Sequence, residues 1–372
     1  QYIVDEVYRA GTLAEPGKLA LIEGFTFGSS ADFPGAVEPP ADPNNTHTAT
    51  VNGSFPDTFG RDTQQWTLPA RKPTGCYLAP GTIATVTVPP ALVDEGYQVR
   101  IGAHSWDLSG RPSVRRLDRA TLLNDIDATT IKVASPNGGG IYLEVPLGAD
   151  AGVVDVEIAG AVRSPYFSAK SFHATTLSDW LNTERHHPAP WADFQSDKFM
   201  MQVPTHWISK HPDPVTLMAD WDAAMDAMND LMGFPRDRGK ETMYPQVDVI
   251  FRVSVHAPGY PSTNTNDNPN NDRGGYHTQH LVRGPRFAGD YEFHEQGHAY
   301  LFPKFGGETE SNVNLLYVPV RNRKFGVSLD DAFRTSVSYG NFGNVTNAPL
   351  DNTAVLWMTS FNFAPREQPM GD

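Results

Sequence analysis

Polar and apolar residues alternate along the chain between about residue 75 and residue 170. Segments 82–88 and 97–101 place apolar side chains at about every second position. A period of two indicates strands that bury one face. Similar short segments occur at 130–133, 141–145, 153–158 and 161–167, and Gly, Pro and Asn separate them. Several short strands at this spacing predict a β-sandwich.

A helical period appears after residue 170. Asp213 and Pro214 are typical of an N-cap and of a first helical position. Apolar residues then follow at steps of three and four, namely Met218, Trp221, Met225, Met228 and Met232. This pattern predicts a helix that turns one face to a core. Segment 247–255 is predicted to be a strand.

The length of the chain and its turn-forming residues divide it into three predicted parts. Its 372 residues exceed the roughly 150 that are typical of one domain. Residues 1–70 are rich in Pro and Asn turn signals and are expected to form an irregular arm or subdomain. Residues 71–170 form the predicted sandwich, and 171–372 form a second domain. The expected class is α+β multidomain, an N-terminal β-sandwich followed by a mostly helical domain.

Charge and cysteine content exclude several functions. Lys and Arg number 29 and Asp and Glu 43, which gives a net charge of −14. This balance argues against nucleic-acid binding and against docking on an anionic membrane. No apolar run approaches the ~20 residues that span a bilayer. Cys76 is the sole cysteine, so an intrachain disulfide and a thiolate zinc cluster are both excluded.

One short motif carries metal chemistry. His294-Glu295-Gln296-Gly297-His298 is an HExxH sequence, and the helical pattern around it continues to Pro303. On a helix, residues four apart share one face, so both imidazoles reach one metal ion. The sequence therefore predicts a Zn²⁺ site in which Glu295 is the general base that takes a proton from water.

A catalytic zinc keeps three protein ligands, and two His with one Glu is a known set. An acidic segment follows the motif helix and offers Glu308 and Glu310. Glu310 stands four residues before Asn314, so the two share a helical face. We favour Glu310 as the third ligand over Glu308. Asn314 is then placed to hydrogen-bond the outer atoms of a ligand.

The spacing from His294 to Glu310 and Asn314 resembles the enhancin and mucinase metallopeptidases, a family of gluzincins. Segments 74–81, 86–89, 99–104, 139–142 and 159–162 are similar to the strands of that family's β-sandwich module, and 256–261 is similar to a segment before its zinc helix. The resemblance covers about residues 71–320. It implies that the second domain is a gluzincin-type zinc metallopeptidase.

The resemblance also implies a secreted endopeptidase that cuts O-glycosylated, mucin-like proteins. Together with the Gly and Pro content and scarce Lys, it predicts a secreted, cell-surface or periplasmic protein of bacterial origin. Two alternatives stay open: a zinc metallopeptidase without glycan dependence, and a catalytically idle mucin-binding adhesin. Candidate side chains for transition-state or substrate contacts are Tyr276, His277, His280, Tyr291 and Tyr339.

Overall fold

The computed structural model describes residues 7–8, 17, 22–55, 68–110, 116–232, 243–249, 256–257, 259–265, 279–287, 290–298 and 313–336. Within these ranges the chain forms three β-sheets. The strands are β1 (Thr46–Phe55), β2 (Ala70–Leu78), β3 (Ile83–Thr87), β4 (Gln98–Ile101), β5 (Leu122–Asp125), β6 (Thr130–Ala134), β7 (Gly139–Val145), β8 (Ala149–Ala159), β9 (Val162–Arg163), β10 (Tyr166–Lys170), β11 (His173–Ala174), β12 (Trp191–Gln195), β13 (Met200–Pro204), β14 (Pro245–Asp248), β15 (His256–Ala257) and β16 (Ser262–Thr265). The helices are α1 (Leu177–Asn182), α2 (Thr205–Ile208), α3 (Pro214–Met232), α4 (Gln279–Arg283), α5 (Asp290–His298), α6 (Tyr317–Pro319) and α7 (Leu329–Ser336).

Two antiparallel sheets form the predicted β-sandwich. One has the order β1-β8-β3-β6 and the other β5-β4-β7-β2-β9. Apolar side chains from both sheets, among them Val51, Val86 and Leu143, share one buried cluster. In β1 and β3 buried residues alternate with partly exposed ones, because one face of each strand packs on the core and the other faces solvent.

Three strands of the sandwich were not predicted from the pattern. β1 lies within residues 1–70, for which the sequence predicts no regular structure, and pairs along its length with β8. β2 contains Arg71, Lys72 and Pro73, and a register shift between Pro73 and Cys76 interrupts its pairing with β7. β5 is a four-residue edge strand beside β4. The division of the chain at residues 70 and 170 stays a prediction.

The expectation of a mostly helical second domain is wrong for the described residues. A seven-stranded sheet with the order β11-β10-β12-β13-β14-β16-β15 runs through it. Its pairs are parallel and antiparallel, as between β13 and β14 and between β12 and β13. Every residue of β12, β13 and β14 is buried. Strands covered on both faces need no polar alternation, so β12 and β13 give no period-two signal. The strand predicted at 247–255 overlaps β14 at Val247 and Asp248, and residues 250–255 lie outside the described residues.

The predicted helix is confirmed as α3. Its N-terminus is capped by Asp213, whose Oδ1 accepts a hydrogen bond from the backbone N–H of Thr216 at 3.0 Å. Met218, Trp221 and Met225 are fully buried on one face, and Trp221 stacks on Phe199 of the region before β13 with ring centroids 4.2 Å apart. No helix in the described part of the chain is long and apolar enough to cross a membrane.

Buried polar contacts join the sandwich to the second domain. Tyr142 of β7 donates its hydroxyl proton to the carboxylate of Asp193 of β12, with an O–O distance of 2.9 Å to Oδ2. Arg116 and Asp248 form an ion pair at 2.9 Å in which both side chains are 0% exposed. Burial raises the pKa of Asp193 to about 7, although the hydrogen bond from Tyr142 acts to lower it. The junction therefore contains a carboxyl group that is costly to ionise.

We predict that Asp193→Asn makes the stability of the protein less sensitive to pH. In the unfolded chain the Asp193 carboxyl loses its proton near its ordinary pKa of 3.8, and in the folded protein near 7. Between these values the unfolded state alone gains from deprotonation, so this group lowers stability as pH rises. Urea unfolding measures the free energy of unfolding of both proteins. The difference, variant minus wild type, should rise by about 1 kcal/mol per pH unit between the two pKa values. A constant difference across this range would contradict the effect of burial.

Candidate metal centre

Helix α5 brings the HExxH side chains together. His294 and His298 lie one turn apart on one face, with ring centroids separated by 5.1 Å and ring planes at 84°. One potential ligand atom from each of His294, Glu295 and His298 lies within 4.8 Å of the other two. Since an α-helix returns to the same face after about 3.6 residues, the sequence spacing brings the two imidazoles to one face of α5.

The donor set and its burial fit a zinc ion. His294 is 7% exposed, and Glu295 and His298 are half-buried. Two imidazole nitrogens with a carboxylate nearby suit Zn²⁺, and a catalytic zinc keeps one position open to water or substrate.

Asn314 fixes the orientation of the first histidine. The Nδ1–H of His294 donates a hydrogen bond of 2.9 Å to Oδ1 of Asn314. Asn314 is buried and lies in a 3₁₀ turn, Val313–Leu316. With the proton on Nδ1, the lone pair is on Nε2, which is the nitrogen that a metal ion would use. This contact is compatible with the role expected of Asn314 beside a metal ligand, and that role stays a prediction.

Gly297 allows this contact by letting α5 approach the turn closely. A Cβ atom at position 297 would lie 2.9 Å from Cβ of Val313 and 3.0 Å from its carbonyl oxygen. Real Cβ atoms do not sit within 3.0 Å of another heavy atom, so any larger residue at this position would push the turn away. The separation between α5 and Asn314 therefore depends on the absence of a side chain at Gly297.

Stacked aromatic rings anchor the other face of α5. Phe293 is fully buried and stacks on Tyr317 of α6, with ring centroids 4.4 Å apart and planes at 10°. The ring centroid of Trp221 of α3 lies 6.1 Å from that of Phe293. Such pairs add stability beyond the area that they bury, so they hold α5 between α3 and α6.

Sequence reasoning did not single out Gly297 or Phe293. A glycine inside a helix costs about 1 kcal/mol of stability relative to alanine. Its presence in the motif helix could therefore have indicated that Gly297 has a packing role. Phe293 carries no comparable signal, because a single aromatic residue beside the motif is ordinary in a core helix.

The other candidates are placed only in part. His280 is buried on α4, a helix tied to α3 by a hydrogen bond of 3.4 Å from Nε1 of Trp221 to the carbonyl of Leu281. Tyr291 lies on α5. The roles of these two residues stay predictions. Five further candidates lie outside the described residues: Tyr276, His277, Glu308, Glu310 and Tyr339.

An HExxH helix that packs beside the edge of a mixed sheet, next to β15, is the arrangement expected of a metallopeptidase site. Two family models match the chain: the N-terminal domain of M60-like peptidases over residues 44–159, and Peptidase M60, enhancin and enhancin-like, over residues 160–340. The chain therefore belongs to the M60 peptidase family, which confirms the resemblance and the two-domain architecture.

The curated relatives that match this chain at about 30% identity include vertebrate proteins. The chain is 32% identical over 193 residues to TRPM8 channel-associated factor 2 of Homo sapiens, which covers 50% of this chain and 20% of that protein. It is 30% identical over 193 residues to the homolog of Xenopus laevis, covering 52% and 21%. The chain thus spans about a fifth of these relatives. Their vertebrate origin contradicts the expected bacterial source and secreted or periplasmic location, and favours a eukaryotic source.

Solved structures share the fold. A functionally unknown conserved protein from Bacillus anthracis aligns with a TM-score of 0.60 at 16% identity, covering 78% of this chain and 58% of that chain. IMPa from Pseudomonas aeruginosa, solved in complex with an O-glycopeptide, aligns with a TM-score of 0.54 at 17% identity, covering 79% and 35%. At these identities the likeness establishes the fold and not the activity.

We predict that Asn314→Ala weakens zinc binding by about 10- to 100-fold, as is typical for loss of a partner that orients a ligand. The reason is that the imidazole of His294 loses the acceptor for Nδ1–H and rotates more freely. Competition with a chromogenic chelator measures the dissociation constant. Asn45→Ala, a change at an exposed asparagine of the sandwich domain, is the matched control. Unchanged zinc affinity in Asn314→Ala would contradict the orienting role.

Proposed function

We propose that the chain is the metal-binding part of a zinc-dependent endopeptidase that cleaves O-glycosylated, mucin-like proteins. The observation that carries this proposal is the cluster of His294, Glu295 and His298 on α5, with Asn314 bound to His294. Membership of a peptidase family supports proteolysis as the reaction.

Three side chains would hold the metal in this proposal. His294 and His298 supply nitrogens from α5, and Glu310 supplies a carboxylate oxygen, with Glu308 as the alternative. When bound, zinc supplies a Lewis acid that polarises a carbonyl and lowers the pKa of water. The two histidines and one glutamate match a known catalytic donor set.

Glu295 is the general base in this proposal. Its carboxylate lies beside the two imidazoles, within 4.8 Å of their ligand atoms, and it is half-buried. From this position it accepts a proton from the attacking water and passes it to the amine that leaves. His294 would not compete for that proton, because its Nδ1 already carries one and its Nε2 lone pair would be bound to the metal.

The glycan-bearing substrate rests on two lines of support. The sequence resembles a family of mucinases, and the fold is shared with IMPa, a metallopeptidase whose structure was solved with an O-glycopeptide. Both concern other proteins, so the substrate class is proposed for this chain by analogy.

A second candidate function follows from the names of the vertebrate relatives, which describe factors associated with the TRPM8 channel. A chain of this kind would act as a binding module, as would the catalytically idle mucin-binding adhesin. An intact HExxH set is the observation against an idle site, since binding alone does not require the base Glu295.

We predict that Glu295→Gln retains zinc but loses peptidase activity by about 100-fold or more, the range that a general base contributes. The assay follows cleavage of a defined mucin-type glycopeptide by mass spectrometry, with zinc content measured on the same samples. Glu157→Gln, a change at an exposed glutamate of β8, is the control and should leave activity unchanged.

The wild-type protein decides between the candidates. Cleavage of the glycopeptide but not of its deglycosylated form supports the proposal. Equal cleavage of both forms would identify a metallopeptidase without glycan dependence. A fully zinc-loaded protein that cleaves neither would overturn proteolysis and favour a binding module.

We predict that Glu310→Ala lowers zinc affinity by at least about 100-fold, because a zinc ion loses one of its three protein ligands. Glu308→Ala is the matched comparison and should bind zinc as the wild type does. The dissociation constants come from chelator competition. The reverse result would assign the third ligand to Glu308.

A further inference from the structure

A cavity of about 590 Å³ lies where the sandwich meets the second domain, and none of its described lining residues belongs to the HExxH motif. Both domains build its wall. The backbone N–H of Arg71 donates to the hydroxyl of Tyr260 at 2.9 Å, and Nε1 of Trp106 donates to the carbonyl of Pro261 at 2.9 Å. Ligand sites occur preferentially at such domain junctions, with volumes of about 300–1,000 Å³.

The cavity contains two arginines that share one acid. Nε of Arg71 and Nε of Arg100 both donate to Oε1 of Glu144, the first at 2.8 Å. Exposures of the three side chains are 2% for Arg71, 9% for Arg100 and 1% for Glu144. One carboxylate is therefore shared by two guanidinium groups. With Arg119 and Asp107, the described lining carries three positive and two negative side chains, a net charge of +1.

Arg100 keeps a donor available to a ligand. Its Nη1 donates to Oγ1 of Thr121 at 2.8 Å, and that hydroxyl in turn donates to the carbonyl of Gly102. Its Nη2 makes no hydrogen bond to any described residue, and Arg100 lines the cavity. Since hydrogen bonds between a guanidinium and an anion are stronger than those between neutral groups, an anion at Nη2 would be favourable.

The remaining wall fits a small organic anion. Arg119 and Asp107 are exposed at the cavity and carry opposite charges, and the carboxylate of Asp107 accepts a hydrogen bond from the backbone of Ser109 at 2.8 Å. The half-buried ring of Trp106 and the side chain of Leu122 supply apolar surface. A positive cavity stands out in a chain whose net charge is −14.

We propose that this cavity binds a small ligand that contains a ring and an oxyanion group. Its carboxylate or phosphate group pairs with Arg100, and its ring lies against Trp106. A guanidinium matches both groups through paired hydrogen bonds. The site does not depend on the zinc centre, so it stands whether or not the chain is a peptidase.

Isothermal titration calorimetry on the full chain tests the proposal with four probes: glucuronate, glucose 6-phosphate, inorganic phosphate and uncharged glucose. We expect glucuronate or glucose 6-phosphate to bind and glucose not to bind. Arg100→Gln should weaken binding by about tenfold or more, the effect of losing a charged hydrogen bond. Arg119→Gln changes an exposed residue and should weaken binding by about twofold to fivefold, which keeps the test available if Arg100→Gln does not fold.

Lys132→Gln is the matched control, because it removes one exposed positive charge from β6 and does not line the cavity. It should bind the ligand as the wild type does. Binding of glucuronate alone or of glucose 6-phosphate alone would assign the carboxylate or the phosphate. No binding by either acid, equal binding of glucose, or binding unchanged in both arginine variants would overturn the site. Equal affinity for inorganic phosphate and glucose 6-phosphate would overturn the contact between the ring and Trp106.

Discussion

The close approach of α5 to the turn at Val313–Leu316 is the constraint on which the candidate metal centre depends. Gly297 makes it possible, since a Cβ atom there would meet Val313 at 2.9 Å. The approach lets Asn314 reach Nδ1 of His294 and so places the lone pair of that imidazole on Nε2, the nitrogen that a metal ion would use. The HExxH sequence supplies the donors, and the packing of α5 supplies their orientation.

The remainder of the fold supports that arrangement in layers. Phe293 and Tyr317 stack beneath α5, and Trp221 continues the aromatic packing into the buried face of α3. The seven-stranded sheet lies next to α5 through β15, and the sandwich is joined to that sheet by Tyr142 and Asp193. A rigid scaffold of this kind holds catalytic side chains more precisely than loops do.

Sequence reasoning succeeded where a local pattern has one physical cause. The alternation around β3 and β4, the cap at Asp213 and the spacing of His294 and His298 each predicted the structure that is present. It failed where burial removes the pattern: β12 and β13 are covered on both faces, and β2 carries buried Arg71 and Lys72. The pairing of Arg71 and Arg100 with Glu144 could not be predicted, because it joins residues more than 40 positions apart.

The most direct test of the central claim is the zinc content of the full chain after metal removal and reloading, measured by elemental mass spectrometry. The wild type should retain about one equivalent, and His294→Ala and His298→Ala should retain almost none, because two of the three ligands of a catalytic zinc come from α5. His186→Ala removes an exposed histidine and should retain the wild-type amount. A wild type that binds no zinc, or histidine variants of α5 that bind as much as the wild type, would contradict the account.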